Sequence, residues 1–281
     1  ISLRNLLAEL NRSMFFPRVA LFSDGPARAL FETLDIPVDI VPARWFGTFP
    51  GPSWKELGYY LNWLALLPDK GWQEYLELRK PDIIHINDKA CLQAGISARR
   101  ISIPIVWHLR SSYYPSRSRL QARISRDIIR KYASQLIAIS EDEIDGFEQC
   151  TNLNIVHNSV DFLKAEEAEK KRGDIRAELG IGNDEIAIGT VTTTINEFRG
   201  TWDFIRAAGI VHKQMPVSKL KFFIVAKIPP KEIKNSGSRS IRKTAIHPLE
   251  IARAIIQEYD LEGKMTLTGY RSDALAVMAG M

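Results

Sequence analysis

A chain of 281 residues has room for two domains at roughly 100–200 residues each. Its hydrophobic share of 45% and charged share of 25% are those of an ordinary globular protein. No apolar run reaches the roughly 18 residues of a membrane span, because the longest candidate, Leu57–Leu67, is interrupted by Gly58 and Asn62. A net charge of +5 favours anionic partners such as nucleotide phosphates, acidic lipid surfaces or acidic glycans. No nucleic-acid-binding module accompanies that charge, so nucleic acid is not an expected partner. The two cysteines, Cys91 and Cys150, allow at most one disulfide and read as reduced, buried small hydrophobes of a cytoplasmic protein.

Along the chain, short β-branched runs alternate with helical patterns. Strands are predicted at 19–22, 38–41, 82–86, 103–107, 136–139 and 154–156, with helices at 1–12, 26–34, 53–67, 70–80, 89–101, 118–133 and 141–149. The segment 162–173 is highly charged, carries no core pattern and reads as a link. The alternation then restarts, with helices at 174–179, 201–214 and 248–259, strands at 186–191, 220–226 and 264–268, and a helix from Asp273. The basic stretch 227–247, rich in Pro, Ser and Gly, reads as a long loop. Regular β/α alternation implies right-handed crossovers around parallel sheets. Strands of nearly continuous Ile and Val suit sheets covered on both faces. The expectation is an α/β protein of two Rossmann-like lobes with a cleft between them, one over 1–164 and the other over 165–281.

Open parallel sheets bind ligands beyond the carboxyl ends of their strands. The residues there are His85, Asn87 and Asp88; His108 and Arg110; Ser140 and Glu141; His157 and Asn158; Thr192, Thr193 and Thr194; and Gly269, Tyr270 and Arg271. His85, His108 and His157 lack close ligand spacing and any Cys or acidic partner pattern, so no metal site is expected. Neither a Gly-x-Ser-x-Gly elbow, a Walker loop nor a dinucleotide-binding Gly-rich loop appears, which weakens hydrolase, NTPase and NAD-dependent readings.

Seven segments in order resemble the GT-B glycosyltransferases of the family-4-like group. They are Lys80–His85 (KPDIIH), Pro104–His108 (PIVWH), Ala133–Ser140 (ASQLIAIS), Val156–Asp161 (VHNSVD), Ile175–Gly180 (IRAELG), Thr190–Gly200 with its Phe-Arg-Gly end, and Met265–Arg271 (MTLTGYR). The resemblance implies transfer of a sugar from a UDP- or GDP-linked donor to a glycan, lipid-linked or other acceptor. It further implies retention of configuration, no metal and no cofactor beyond the donor substrate. It also implies a first strand before Ile1 and an acidic donor-binding region beyond Met281, so this stretch alone is expected to be inactive. A catalytically silent GT-B-like binding subunit and a UDP-sugar epimerase of the same fold are the alternatives.

The resemblance assigns His108 to the reacting centre as the catalytic histidine, able to orient an acceptor or donate to the transferred sugar. Arg199 and Gly200, before a helix from Thr201, suit a leaving diphosphate, because a cation and a helix N-terminus stabilise growing negative charge. Thr193, Thr194 and Asn158 complete the expected donor contacts. The threonines stand near the place where the family carries an arginine, and bring no charge. Lys227 at the head of the basic loop is a weaker candidate. Arg110, His85 and Asp88 are expected at the acceptor, with helix capping an equal reading for Asp88. Arg119, Arg123, Arg126 and Arg130 recur at helical spacing beside a Leu120–Ile124–Ile128 stripe, a pattern of a sheet-covering helix with a solvated outer face or, alternatively, of one able to lie on anionic lipid at the inner membrane face. The aromatic stretch Trp45–Trp63 could line an acceptor pocket, touch a membrane or pack in the core.

Overall fold

The computed structural model describes residues 2–42, 68–111, 119–215, 219–229 and 246–281. The expected helix at 53–67, the aromatic stretch Trp45–Trp63 and most of the basic loop lie outside the described residues. The chain divides into two compact units, Ile1–Ser159 and Val160–Met281. Both are α/β, and every strand pairing among the described residues is parallel.

The first unit begins with α1 (Ser2–Ala8), β1 (Val19–Leu21), α2 (Pro26–Glu32) and β2 (Val38–Ile40). The two strands form a small sheet of their own. There follow α3 (Lys70–Arg79), β3 (Ile84–Asn87), α4 (Leu92–Arg100), β4 (Ile105–Leu109), α5 (Arg119–Tyr132), β5 (Gln135–Ala138) and β6 (Leu153–Ile155). The strands β3 to β6 stand side by side in chain order. Ile105, Trp107 and Leu109 of β4 are fully buried, as continuous apolar runs in a covered sheet should be. Helix α3 starts where Asp69 accepts from the Trp72 amide at 3.2 Å, and it buries Trp72 and Leu76. Gly95 of α4 lies against the Trp107 ring, where a Cβ would meet Cζ3 at 2.4 Å, so helix and sheet approach more closely than any other residue allows.

The second unit contains α6 (Phe162–Glu169), α7 (Arg172–Glu178), β7 (Ile186–Thr194), α8 (Thr201–Gln214), β8 (Leu220–Lys227), α9 (Pro248–Glu258), β9 (Met265–Gly269) and α10 (Ala274–Gly280). Its sheet runs β7-β8-β9, and Phe222 to Ala226 of β8 are buried without interruption. Trp202, Ile205 and Ala208 of α8 share a core with Ala252, Ile255 and Ile256 of α9.

Two expectations fail locally. The charged segment 162–173 is not a bare link: most of it is helix α6, and Ala168 joins Ile175, Val225, Ala276 and Val277 in a core. Phe162 and Leu163 are exposed and only Ala168 of its four apolar residues is buried, too sparse a signal for periodicity to register. The helix expected at 141–149 is a short 3-10 turn, Glu141–Ile144. It ends because Asp145 takes ψ 114° and Gly146 a φ of 80°, both incompatible with a continuing helix. In α5, Ile128 is buried in the core and Ile124 packs on it, so the apolar stripe faces the sheet. Arg126 pairs with Asp145, and Arg130 pairs with Asp127 and donates to the Gly146 carbonyl at 3.1 Å. Arg126 and Arg130 of the cationic face are thus engaged within the protein.

Candidate functional site

The parallel register sets Asn87 of β3 opposite His108 of β4, with His85 opposite Val106. Side chains alternate along a strand, so His85, Asn87 and His108 share one face near the carboxyl ends. His85 Nε2 lies 3.2 Å from His108 Nδ1, and the two rings meet edge to edge, with centroids 5.4 Å apart and planes inclined at 19°. His108 is 7% exposed, and its Nε2 is buried without a hydrogen-bond partner. His85 keeps open surface on its other side. Desolvation, then Arg110 and His85, pulls the His108 imidazole down to about 4, while Asp88 opposes weakly. Desolvation by the packed protein, then Arg110, lowers His85 as well. His108 is therefore a neutral imidazole at pH 7.

Asp88 sits at φ 95° and ψ 161°, a region that costs a side-chain-bearing residue roughly 1–3 kcal/mol. Several bonds hold it there. Its amide donates to the His108 carbonyl at 3.1 Å, and its carbonyl accepts from Trp107 Nε1 at 3.3 Å. Its carboxylate accepts from the Lys89 amide at 2.7 Å and from Ser111 Oγ at 2.9 Å. The capping reading of Asp88 is realised in the 3-10 turn Lys89–Cys91. Arg110 Nη2 donates to Asn158 Oδ1 at 2.6 Å. Asn158, expected among donor contacts, is thereby grouped with Arg110 in the first unit. His157 is directed elsewhere, donating from Nδ1 to the Ile139 carbonyl at 3.0 Å.

Lys89 and Ser111 escaped the sequence reading of this cluster, and Asn87 was placed at the strand end without a role. Lys89 is 7% exposed, its Nζ stands 5.9 Å from the Phe147 ring centre, and burial draws its ammonium down to about 8. Asn87 Oδ1 is buried without a hydrogen-bond partner. Alternation from His85 would have pointed to Asn87; a lysine at this depth left no periodic trace.

In the second unit, the carboxyl end of β7 carries Thr193 and Thr194, with Thr194 opposite Lys227 of β8 after a register shift. Asn196 accepts from the Arg199 amide at 2.9 Å and forms the short 3-10 turn Glu197–Arg199. Gly200 then takes φ 67°, a left-handed position, and opens α8 with no side chain capping the first turn. Arg199 and Thr193 are exposed; Thr194 and Gly200 are half-buried. Arg271, also at a strand end, is committed to Asp273 at 2.8 Å and to Glu178. Those carboxylates raise its pKa further.

The structure therefore brings His85, Asp88, His108, Arg110 and Asn158 into one cluster of the first unit. Thr193, Thr194, Arg199 and Gly200 form a second set at the end of β7. No group of three or more His, Cys, Asp or Glu side chains able to hold a metal ion occurs among the described residues. Two concave pockets lie apart from both sets. One of about 460 Å³ is flanked by Arg172, Arg176 and Met281, and one of about 490 Å³ by Arg12, Phe15 and Phe16. Neither pocket is lined by a residue of either set.

The glycosyl transferase 4-like domain model matches residues 1–153, which is more than half of the chain. The chain belongs to this glycosyltransferase family. Its fold agrees with solved GT-B glycosyltransferase structures. HepE of Anabaena, crystallised in complex with UDP-glucose, superposes with a TM-score of 0.67 at 20% identity over 99% of this chain and 68% of its own. A glycosyltransferase of Rickettsia africae gives 0.66 at 11% identity, covering 99% of this chain and 66% of its own. A UDP-forming α,α-trehalose-phosphate synthase of Burkholderia vietnamiensis gives 0.59 at 13% identity, covering 82% and 54%. No curated protein sequence matches the chain. No helix among the described residues is long and apolar enough to cross a membrane.

Proposed function

We propose that this family member transfers a sugar from a nucleotide-diphosphate donor to a glycan or lipid-linked acceptor, with retention and without a metal. The observation that carries the reading is the neutral, buried His108 with an unpartnered Nε2 at the carboxyl end of β4. A neutral imidazole there can hydrogen-bond a sugar hydroxyl without placing a positive charge next to an oxocarbenium-like centre. Arg110, half-buried beside it and supported by Asn158, serves an anionic or hydroxylated acceptor together with His85 and Asp88.

Leaving-group stabilisation falls to the second unit. Charge grows on the departing diphosphate in the transition state, so a fixed cation and aligned amides aimed at it raise the rate. Arg199 and the uncapped first turn of α8 supply both, and the Thr193 and Thr194 hydroxyls add neutral donors. HepE of Anabaena in complex with UDP-glucose lends the donor class its support. The direct test is hydrolysis and transfer of UDP- and GDP-sugars by the full-length protein, alongside nucleotide binding by calorimetry. No turnover with any donor together with no nucleotide binding would sink the enzyme reading. Nucleotide binding without turnover selects a silent binding subunit, a reading favoured by the uncharged end of β7.

A further inference from the structure

His85 and His108 share one edge, Nε2 against Nδ1 at 3.2 Å. Two bare lone pairs or two N–H groups would repel at that distance, so one proton occupies the edge and two arrangements remain. In the first, His85 donates from Nε2 and the neutral His108 carries its own proton on Nε2. In the second, His108 donates from Nδ1, its Nε2 is bare, and the neutral His85 carries its proton on Nδ1. Free neutral imidazole of a histidine side chain prefers the Nε2–H form. The first arrangement puts both rings in that form and the second puts both in the other, so the preference counts twice. The outer nitrogen of His85 does not oppose the choice, because His85 retains open surface and water serves a lone pair or an N–H alike.

We propose that His85 is a positioning residue that donates to His108 Nδ1 and so makes His108 Nε2 a fixed N–H donor. This rests on His108 being the polar centre of the first unit's site, and it deepens that reading. A histidine's free nitrogen takes the protonation state that its bonded nitrogen dictates. Here the dictating group is another neutral imidazole, not a carboxylate. The His108 N–H then meets an oxygen lone pair of the ligand, from a hydroxyl or a phosphoryl oxygen, and it cannot act as a base toward a hydroxyl proton. The hydrogen bond across this edge also limits rotation of the His108 ring. His85 itself need not touch the ligand.

Long-range ¹H–¹⁵N correlation spectra of the ¹⁵N-histidine-labelled full-length protein at pH 7.5, without donor, read the tautomer directly. The His108 signals are identified by their loss in His108→Gln. The expected pattern is a protonated Nε2 and an unprotonated Nδ1 on His108; a protonated Nδ1 overturns the proposal. His85→Phe keeps ring volume but removes the donor, and is expected to move the His108 signals toward tautomer averaging. It should also lower kcat about tenfold or more with KM changed by less than about twofold. His85→Gln, whose amide N–H can reach the same edge, is expected to restore the spectrum and kcat to within about threefold of the parent. His108 signals unchanged in His85→Phe also overturn the proposal. Should His85→Phe fail to fold, the parent spectrum and His85→Gln still decide. If no sugar donor is turned over, the tautomer readout stands unaffected, so failure of the transferase reading is separable from failure of this one.

Discussion

The two strand-end sets are built in opposite ways. In the first unit, His85, Asp88, His108 and Arg110 are held by protein partners, and one of them, Asp88, occupies a conformation it would not adopt alone. In the second, Arg199 is exposed, its side chain resting on a turn fixed through backbone amides and an Asn cap. The contrast shows where organisation precedes the ligand and where a ligand would complete it. A group that must be neutral and aimed needs an environment, whereas a cation meant for a diphosphate needs reach and a helix end behind it.

Four measurements break or sharpen this contrast. The largest effect is expected for His108→Ala, which should lower sugar transfer by about 10² to 10³-fold with little change in nucleotide affinity. Unchanged transfer would remove His108 from the mechanism and with it the functional weight of the organised set.

Acid should act on the first unit selectively. An unfolded histidine titrates near 6.5 and His108 near 4 in the native state, so between those values the unfolded chain binds the extra proton. Stability is therefore undiminished above about pH 7 and falls as pH drops from about 6.5 toward 4. The loss is on the order of 2–3 kcal/mol at about 1.36 kcal/mol per unit, and His85 adds to it in the same direction. Hydrogen exchange resolved by segment should show β3 and β4 losing protection at pH 5 ahead of β7 and β8; equal loss in both units would dissolve the distinction.

Gly95→Ala presses a methyl group into the Trp107 ring, whose Nε1 supports Asp88. Urea denaturation should report about 2 kcal/mol of destabilisation, and an unchanged midpoint would show that the β4 support is soft. The smallest effect belongs to Arg199→Ala, expected to weaken UDP binding about tenfold by calorimetry, about 1.4 kcal/mol, with thermal stability unaltered. A fall in melting temperature would mean that Arg199 braces the fold.

Much of this was legible in residue order. Runs such as Ile105–Leu109 and Leu220–Lys227 announce covered strands, and Gly200 with the helical pattern from Thr201 marks the start of a helix. The His85–His108 pairing was not legible, because it depends on the parallel register that sets Asn87 beside His108. Nothing local encodes that register. Arg271 looked like a free strand-end cation until its partner Glu178, 93 residues away in sequence, came into view. Asn158 was likewise assigned by its neighbours in sequence and is placed by Arg110 from a different strand end. Side-chain chemistry and local periodicity could be read; long-range partners could not.

The bonds around Arg271 bear on the order in which the molecule is made. Glu178 waits for Arg271, Arg172 for the Ala279 carbonyl and Arg176 for the Gly280 carbonyl, separations of 93, 107 and 104 residues. During synthesis at roughly 5–20 residues per second, α6 and α7 leave the ribosome several seconds before α10 arrives to cover Ile175. Through that interval the apolar edge of α7 lacks its docking partner, while β3 to β6 of the first unit have already been made. The second unit is thus the later to close and the one more exposed to holding chaperones. Helix α10 acts as a latch on α6 and α7.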